Sequence, residues 1–168
     1  MTTGLATPSS TQQLEQLIDR QLIGDLLARY CQRLDEYDIE AIGAVFSDDA
    51  VMDQGPGRGG PVVGRQTILD GMKIRQALFR RTHHQLGQCV VDLHGDTASA
   101  LTYVIAWHQT WAGEVQTARL RYLDQLVRGA TGDWRIAHRQ SQSLGVEGFG
   151  EAQWNWVDRQ RPGGQPIP

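Results

Sequence analysis

The stretch TASALTYVIAWHQTW, residues 97–111, alternates between two kinds of side chain, and alternation with period two is typical of a β-strand. One face would carry the bulky residues Leu101, Tyr103, Ile105, Trp107 and Trp111. The other face would carry Ala98, Ala100, Thr102, Val104, Ala106 and His108. A row of small side chains leaves free space beside a long strand, and a curved sheet would turn that space into a concavity. His108 ends the row, so the stretch predicts a strand that lines a pocket.

The neighbouring segments predict which elements accompany this strand. Alternating segments bounded by turn signals predict further strands over residues 84–92, 114–128 and 134–143. Before them, apolar residues at helical spacing predict a helix over 13–34, a short helix capped by Asp38, and a third helix over 66–79. Helices followed by an antiparallel meander indicate an α+β domain with its helices on one face of the sheet.

The composition fits one ordinary globular domain. The chain has 168 residues and a net charge of −3, which gives no reason to expect nucleic acid or an anionic membrane as partner. The expected boundaries are a disordered tail over 1–12, the domain over 13–145, and a C-terminal tail over 146–168. In that tail, Trp154 and Trp156 would either dock on the surface, which we slightly favour, or cover the pocket mouth. No signal peptide or membrane span is recognisable, so a cytoplasmic protein is expected.

Histidines and carboxylates supply the candidate chemistry. His83 and His84 are adjacent, so one should point inward and the other outward, but alternation does not decide which. The carboxylates that could orient a histidine are Asp35, Asp38, Asp48, Asp49 and, on a strand, Asp124. Tyr30 lies in the apolar stripe of the first helix. No HxH, HExxH or paired CxxC motif is present, and Cys31 and Cys89 are far apart, so no metal site and no disulfide framework are expected.

Five segments in order resemble the SnoaL-like group of the NTF2-like superfamily. They are LLARYCQRLDEYDIEAIGAVFSDDAVMD (26–53), VGRQTILDGM (63–72), THHQLGQCVVDLHGDTASA (82–100), RYLDQLV (121–127) and GDWRIAHR (132–139). The resemblance implies a cone, in which a strongly curved mixed sheet wraps around the N-terminal helices and encloses a deep apolar cavity. It also implies that no cofactor is needed.

The resemblance assigns roles to residues that the pattern left open. Asp35 and His84 match the family's catalytic aspartate and histidine, which leaves His83 as the outward neighbour. Tyr30 matches the catalytic tyrosine of a bile-acid dehydratase, and His108 resembles the second histidine of scytalone dehydratase, whose first-strand tyrosine is replaced here by Gln54. Gln54 counts as a candidate substrate-binding residue, and strand alternation adds six more: Leu86, Gln88, Val104, Ala106, Tyr122 and Asp124.

The function expected from this set is that of a cofactor-independent lyase. An Asp35–His84 dyad would take a proton from a hydrophobic cyclic molecule, polyketide-like or steroid-like, and a hydroxyl would leave. An isomerase or a polyketide cyclase using the same dyad is the nearest alternative, and a noncatalytic ligand-binding or assembly module is the alternative from another class. The bulky face of the long strand predicts a homodimer or homotrimer formed through the sheet.

Overall fold

The computed structural model describes residues 9–158, which form three helices and a seven-stranded sheet. The helices are α1 (Ser10–Asp35), α2 (Ile39–Ile42) and α3 (Arg65–Gln76). The strands are β1 (Phe46–Asp53), β2 (Val62–Val63), β3 (Phe79–His94), β4 (Thr97–Thr110), β5 (Val115–Arg128), β6 (Trp134–Glu147) and β7 (Asn155–Trp156).

Helix α1 begins three residues before the predicted start at residue 13. The Ser9 side chain accepts a hydrogen bond from the Gln12 backbone, and the Gln12 side chain accepts one from the Ser9 backbone. This capping box satisfies amide groups that a helix end leaves open, so the helix extends into the Ser-rich segment. The remainder of the predicted N-terminal tail, residues 1–8, lies outside the described residues.

The sheet is mixed and open, with strand order β2-β1-β6-β5-β4-β3. Its long strands pair antiparallel, whereas β1 and β7 both run parallel to β6. The core joins α1 residues such as Ile23 and Leu27 to inward residues of the sheet such as Leu126 and Ile136. This arrangement confirms the predicted α+β, NTF2-like cone.

Strand β4 presents the two faces that its sequence predicts. The small residues from Ala98 to Ala106 and the terminal His108 are buried or nearly so, while Tyr103 and Ile105 on the other face are exposed. Trp111 is also exposed, and its indole N–H donates to the Ala77 carbonyl oxygen at 3.1 Å. The sheet therefore turns the small side chains of β4 toward the interior.

Strand β3 departs from the prediction in length and in phase. It runs from Phe79 rather than from residue 84, because α3 already ends at Gln76. A bulge between Leu86 and Cys89 shifts its register against β4. Since a bulge inserts an unpaired residue, the alternation reverses beyond it. Gln88 consequently faces solvent, and Val91 faces the core.

The chain after β6 folds back onto the body. A short turn at Glu151–Gln153 precedes β7, and Trp154 between them is 7% exposed, against 41% for Trp156. Gly57 lets its loop pack closely against Gln153 of this segment, because a Cβ at residue 57 would lie 2.5 Å from the Gln153 Cα. We call residues 149–156 the C-terminal flap. Among the described helices, none has the length and apolar character needed to cross a membrane.

Candidate active site

Asp35 and His84 form a hydrogen-bonded pair where α1 ends against β3. Oδ1 of Asp35 lies 2.7 Å from Nδ1 of His84, and Oδ2 accepts the His84 backbone N–H at 2.9 Å. The Thr82 hydroxyl donates to Oδ1 at 2.8 Å. Three donors thus fix the carboxylate, while the His84 side chain is 4% exposed. His83 is exposed, as expected of the outward neighbour.

The electrostatics of this pair favour an ionised aspartate. Burial raises the pKa of Asp35, but the hydrogen bonds from His84 and Thr82 outweigh it and hold the pKa below its usual value. An ionised carboxylate only accepts hydrogen bonds, so Nδ1 of His84 carries a proton. No residue within 9–158 hydrogen-bonds Nε2, which leaves its lone pair for chemistry when the ring is neutral.

His84 borders a narrow internal cavity with about 50 Å³ of free volume. Six predicted site residues line it: Tyr30, Gln54, His84, Ala106, His108 and Tyr122. Seven further residues complete the lining: Leu34, Arg58, Gln76, Ala118, Leu120, Ser141 and Trp154. The cavity is therefore smaller and more polar than the deep apolar cavity expected from the resemblance, and Arg58 and Trp154 are among the side chains that line it.

His108 is enclosed by aromatic rings beside His84. Its ring centroid lies 5.2 Å from that of His84, 4.4 Å from Phe79 and 5.8 Å from Phe149 in the flap. Burial, reinforced by the nearby His84 and Arg58, lowers the pKa of His108 to about 3. Its Nδ1 is buried and has no hydrogen-bond partner in the described part of the chain. His108 is thus a neutral imidazole with an unused polar atom.

Tyr30 and Tyr122 enclose a buried arginine. The Arg139 guanidinium lies 4.3 Å from each ring centroid and makes two 2.7 Å hydrogen bonds to Asp124. Burial raises the pKa of Tyr30, although Arg139 opposes the rise, so the phenol stays protonated. Burial lowers the pKa of Arg139, but Asp124 more than compensates.

Four predicted substrate-binding residues do not line the cavity. Asp124 is fully buried and is used by Arg139, which sequence alternation does not reveal. Gln88 lies within the β3 bulge and is exposed to solvent. Val104 is buried on the inner face of β4 and Leu86 is half-buried, and both are among the residues around a separate groove whose exposed members lie on the outer face of the sheet. A role of these four residues as substrate contacts stays a prediction, because none of them lines the cavity beside His84.

An open groove of about 340 Å³ adjoins the other side of the pair. Asp35 and Thr82 line it, together with Trp111. Leu34 and Gln76 line both the groove and the inner cavity, so these side chains separate the two spaces. Within residues 9–158, no group of three or more His, Cys, Asp or Glu side chains is arranged to hold a metal ion.

Comparison with known structures finds the same fold in other proteins. A protein from Novosphingobium aromaticivorans named "Putative Scytalone Dehydratase" superposes with a TM-score of 0.80 at 20% identity, over 87% of this chain and 97% of that one. A second, from the same organism and named "Putative Aromatic Ring Hydroxylase", gives 0.73 at 31% identity, over 79% and 94%. The hexachlorocyclohexane dehydrochlorinase LinA type 2 gives 0.73 at 16% identity, over 90% and 99%.

No curated protein matches the sequence. The sequence model of the SnoaL-like domain matches residues 15–140. This range includes most of α1, all of α2 and α3, and most of the sheet. The chain belongs to the SnoaL-like family.

Proposed function

We propose that the protein is a cofactor-independent lyase that removes a proton from carbon and expels a hydroxyl group as water from a hydrophobic cyclic substrate. The observation that carries this proposal is the Asp35–His84 pair, in which Nδ1 is held at 2.7 Å and the opposite nitrogen of a buried ring stays available beside a cavity. A dehydratase name on a structure of the same fold agrees with it.

His84 serves as the base. Asp35 holds Nδ1–H, so the Nε2 lone pair accepts the substrate proton, and the carboxylate stabilises the imidazolium that results. The electron pair of the broken C–H bond forms the new double bond as the C–O bond breaks. Positioned proton transfer of this kind contributes about 10²–10⁴-fold in rate.

Tyr30 is a better candidate than His108 for the acid that protonates the departing oxygen. Its raised pKa keeps the hydroxyl proton available for the departing oxygen, which leaves as water. His84 then returns its proton to Tyr30, which restores both groups. His108, being neutral, orients the oxygen by hydrogen bonding, since a group with a pKa of about 3 does not hold a second proton near neutral pH.

A substrate panel tests this assignment. β-Hydroxy ketones, steroid enones and polyketide-like aromatics are followed by ultraviolet absorbance, with wild type, Asp35→Asn, His84→Gln and the neighbouring control His83→Gln. We expect turnover to fall at least about 10²-fold in the first two variants and to persist in the control. Circular dichroism verifies that each variant is folded. Wild-type rates in folded His84→Gln would contradict the proposal.

The products separate the alternatives. Loss of one water from the substrate identifies a lyase, whereas unchanged mass identifies an isomerase. Ring closure detected by nuclear magnetic resonance identifies a cyclase. Tight binding without turnover, unaffected by either dyad substitution, would instead identify a noncatalytic ligand-binding module.

A further inference from the structure

Two arginines stand beside the cavity with no acidic partner. Arg58 and Arg75 line a recess of about 20 Å³, and Arg58 and Gln54 also line the cavity that holds His84. Both arginines are half-buried. The recess therefore adjoins the cavity beside His84, with Arg58 and Gln54 in the wall between them.

Neither guanidinium is neutralised by the described part of the protein. Most other shielded arginines have carboxylate partners, for example Arg128 with Asp19 at 2.6 Å and Arg139 with Asp124 at 2.7 Å, and Arg121 donates to the Gln142 side-chain oxygen at 2.7 Å. In contrast, no ion pair within residues 9–158 includes Arg58 or Arg75. Arg58 instead stacks 5.2 Å from the Trp154 ring centroid.

The two charges also oppose each other. Burial lowers the pKa of Arg58, and the charge of Arg75 lowers it further. Burial likewise lowers the pKa of Arg75. Two like charges withdrawn from water raise the free energy of the folded protein unless an anion compensates them.

A second unmet group lies in the same cavity. His108 is 7% exposed and lines the cavity, and its Nδ1 has no partner among the described residues. A buried polar atom without a partner is costly, so His108 adds a second unmet requirement close to the unpaired Arg58. The cavity lining combines the unpaired Arg58 with apolar side chains, which suits a ligand that brings a polar group as well as an apolar ring.

We propose that Arg58 and Arg75 bind a carboxylate of the substrate, so that the substrate class is hydrophobic cyclic carboxylic acids. A guanidinium offers paired N–H donors that match the two oxygens of a carboxylate. The substrate assignment rests on the proposed function, whereas carboxylate binding stands without it.

The test compares benzoate with benzamide, which have the same ring but differ in charge. Isothermal calorimetry at pH 7 measures both on wild type, Arg58→Gln, Arg75→Gln and the control Lys73→Gln, which removes an exposed charge from the same helix as Arg75. We expect wild type and control to favour benzoate by at least about tenfold, and each arginine variant to lose most of this preference.

Three results would overturn the proposal: no benzoate binding to wild type at millimolar concentration, equal binding of the two probes, or an unchanged preference in both arginine variants. Should a variant fail to fold, the wild-type comparison still decides the first two.

Two more measurements separate charge recognition from a structural role and from catalysis. Ligand-free Arg75→Gln should melt no lower than wild type, because the substitution relieves repulsion with Arg58; a clear fall in Tm would count against an uncompensated pair. His84→Gln should keep the benzoate preference while losing turnover. If the wild-type protein prefers benzoate over benzamide but turns over no substrate, carboxylate binding by the two arginines is supported and only the lyase proposal is rejected.

Discussion

At the scale of single residues, Thr82 determines how Asp35 is held. Its hydroxyl donates to the same oxygen that faces His84 Nδ1, and this bond helps to lower the pKa of Asp35. Thr82→Val should therefore raise that pKa and let the carboxylate rotate. We expect the acid limb of the pH–rate profile to move to higher pH, with turnover reduced up to about tenfold. Thr82→Ser keeps the hydroxyl and should therefore keep the wild-type acid limb and the wild-type turnover. If Thr82 acted only by packing, the serine variant would not behave like wild type.

The buried Asp124–Arg139 pair should affect the stability of the protein. Both side chains are 0% exposed, so Asp124→Asn leaves the Arg139 charge uncompensated in the core. We expect a loss of about 3–5 kcal/mol in the free energy of unfolding, measured by urea titration. The control Glu147→Gln breaks an exposed pair with Arg119 and should cost under about 1 kcal/mol. Equal losses in the two variants would show that burial does not govern the effect.

His108 should make folding sensitive to mild acid. Its pKa falls from an unfolded value of 6.5 to about 3, so between these values the unfolded chain binds the extra proton. The stability contributed by the neutral ring is therefore complete above pH 6.5 and is lost as the pH falls toward 3, by up to about 1.4 kcal/mol per pH unit.

The measurement is a series of denaturant titrations from pH 4 to pH 7. His108→Gln should flatten the slope between pH 5 and pH 6.5, whereas the exposed control His94→Gln should keep the wild-type slope. The lowered pKa of Asp35 also makes the protein less stable as the pH falls, but only near and below the ordinary pKa of 3.8. The contributions of Asp35 and His108 to stability therefore fall in different pH ranges.

At the scale of elements, the C-terminal flap completes the cavity. Trp154 lines the cavity beside Arg58, and Phe149 of the same flap contacts both Trp154 and His108. The free volume of about 50 Å³ is too small for a cyclic substrate, since ligand pockets span roughly 300–1,000 Å³. We therefore expect the flap to open for binding.

Trp154→Ala should increase hydrogen exchange in residues 149–156 and speed the association of benzoate. Trp156→Ala, which removes a side chain that is 41% exposed, should change both much less. The comparison is made by exchange mass spectrometry and stopped-flow fluorescence. Unchanged association in Trp154→Ala would mean that the ligand enters elsewhere, for example through the groove beside Asp35.

The elements also show what the sequence could and could not predict. The faces of β4 followed from alternation alone, because His108 and the small residues share one parity. The pairing of Asp35 with His84 required the family resemblance, since helix rotation does not say where α1 ends against β3. Gln88 was misplaced because a bulge leaves no mark in the residue pattern. Arg58 was missed because it lies in a Gly- and Pro-rich loop, where periodicity carries no information.

At the scale of the whole molecule, the outer face of the sheet exposes an apolar patch. Tyr103, Ile105 and Leu144 are 39%, 45% and 43% exposed, and they line a groove of about 290 Å³ on this face. Leu101 and Trp107 of the same strand face are half-buried, so the patch is smaller than five bulky residues imply. Contiguous exposed apolar surface of this kind favours association with another copy.

We expect the protein to sediment as a dimer or trimer, in which this face is buried. Ile105→Glu places a charge at the centre of the patch, and desolvating it at an interface is unfavourable, so the variant should sediment as a monomer at micromolar concentration. Ile74→Glu introduces the same charge at a residue of α3 that is 71% exposed and should leave the oligomer intact. Analytical ultracentrifugation across a hundredfold concentration range gives the masses. A monomeric wild type throughout, or an Ile105→Glu oligomer of wild-type mass, would show that assembly does not use the sheet face.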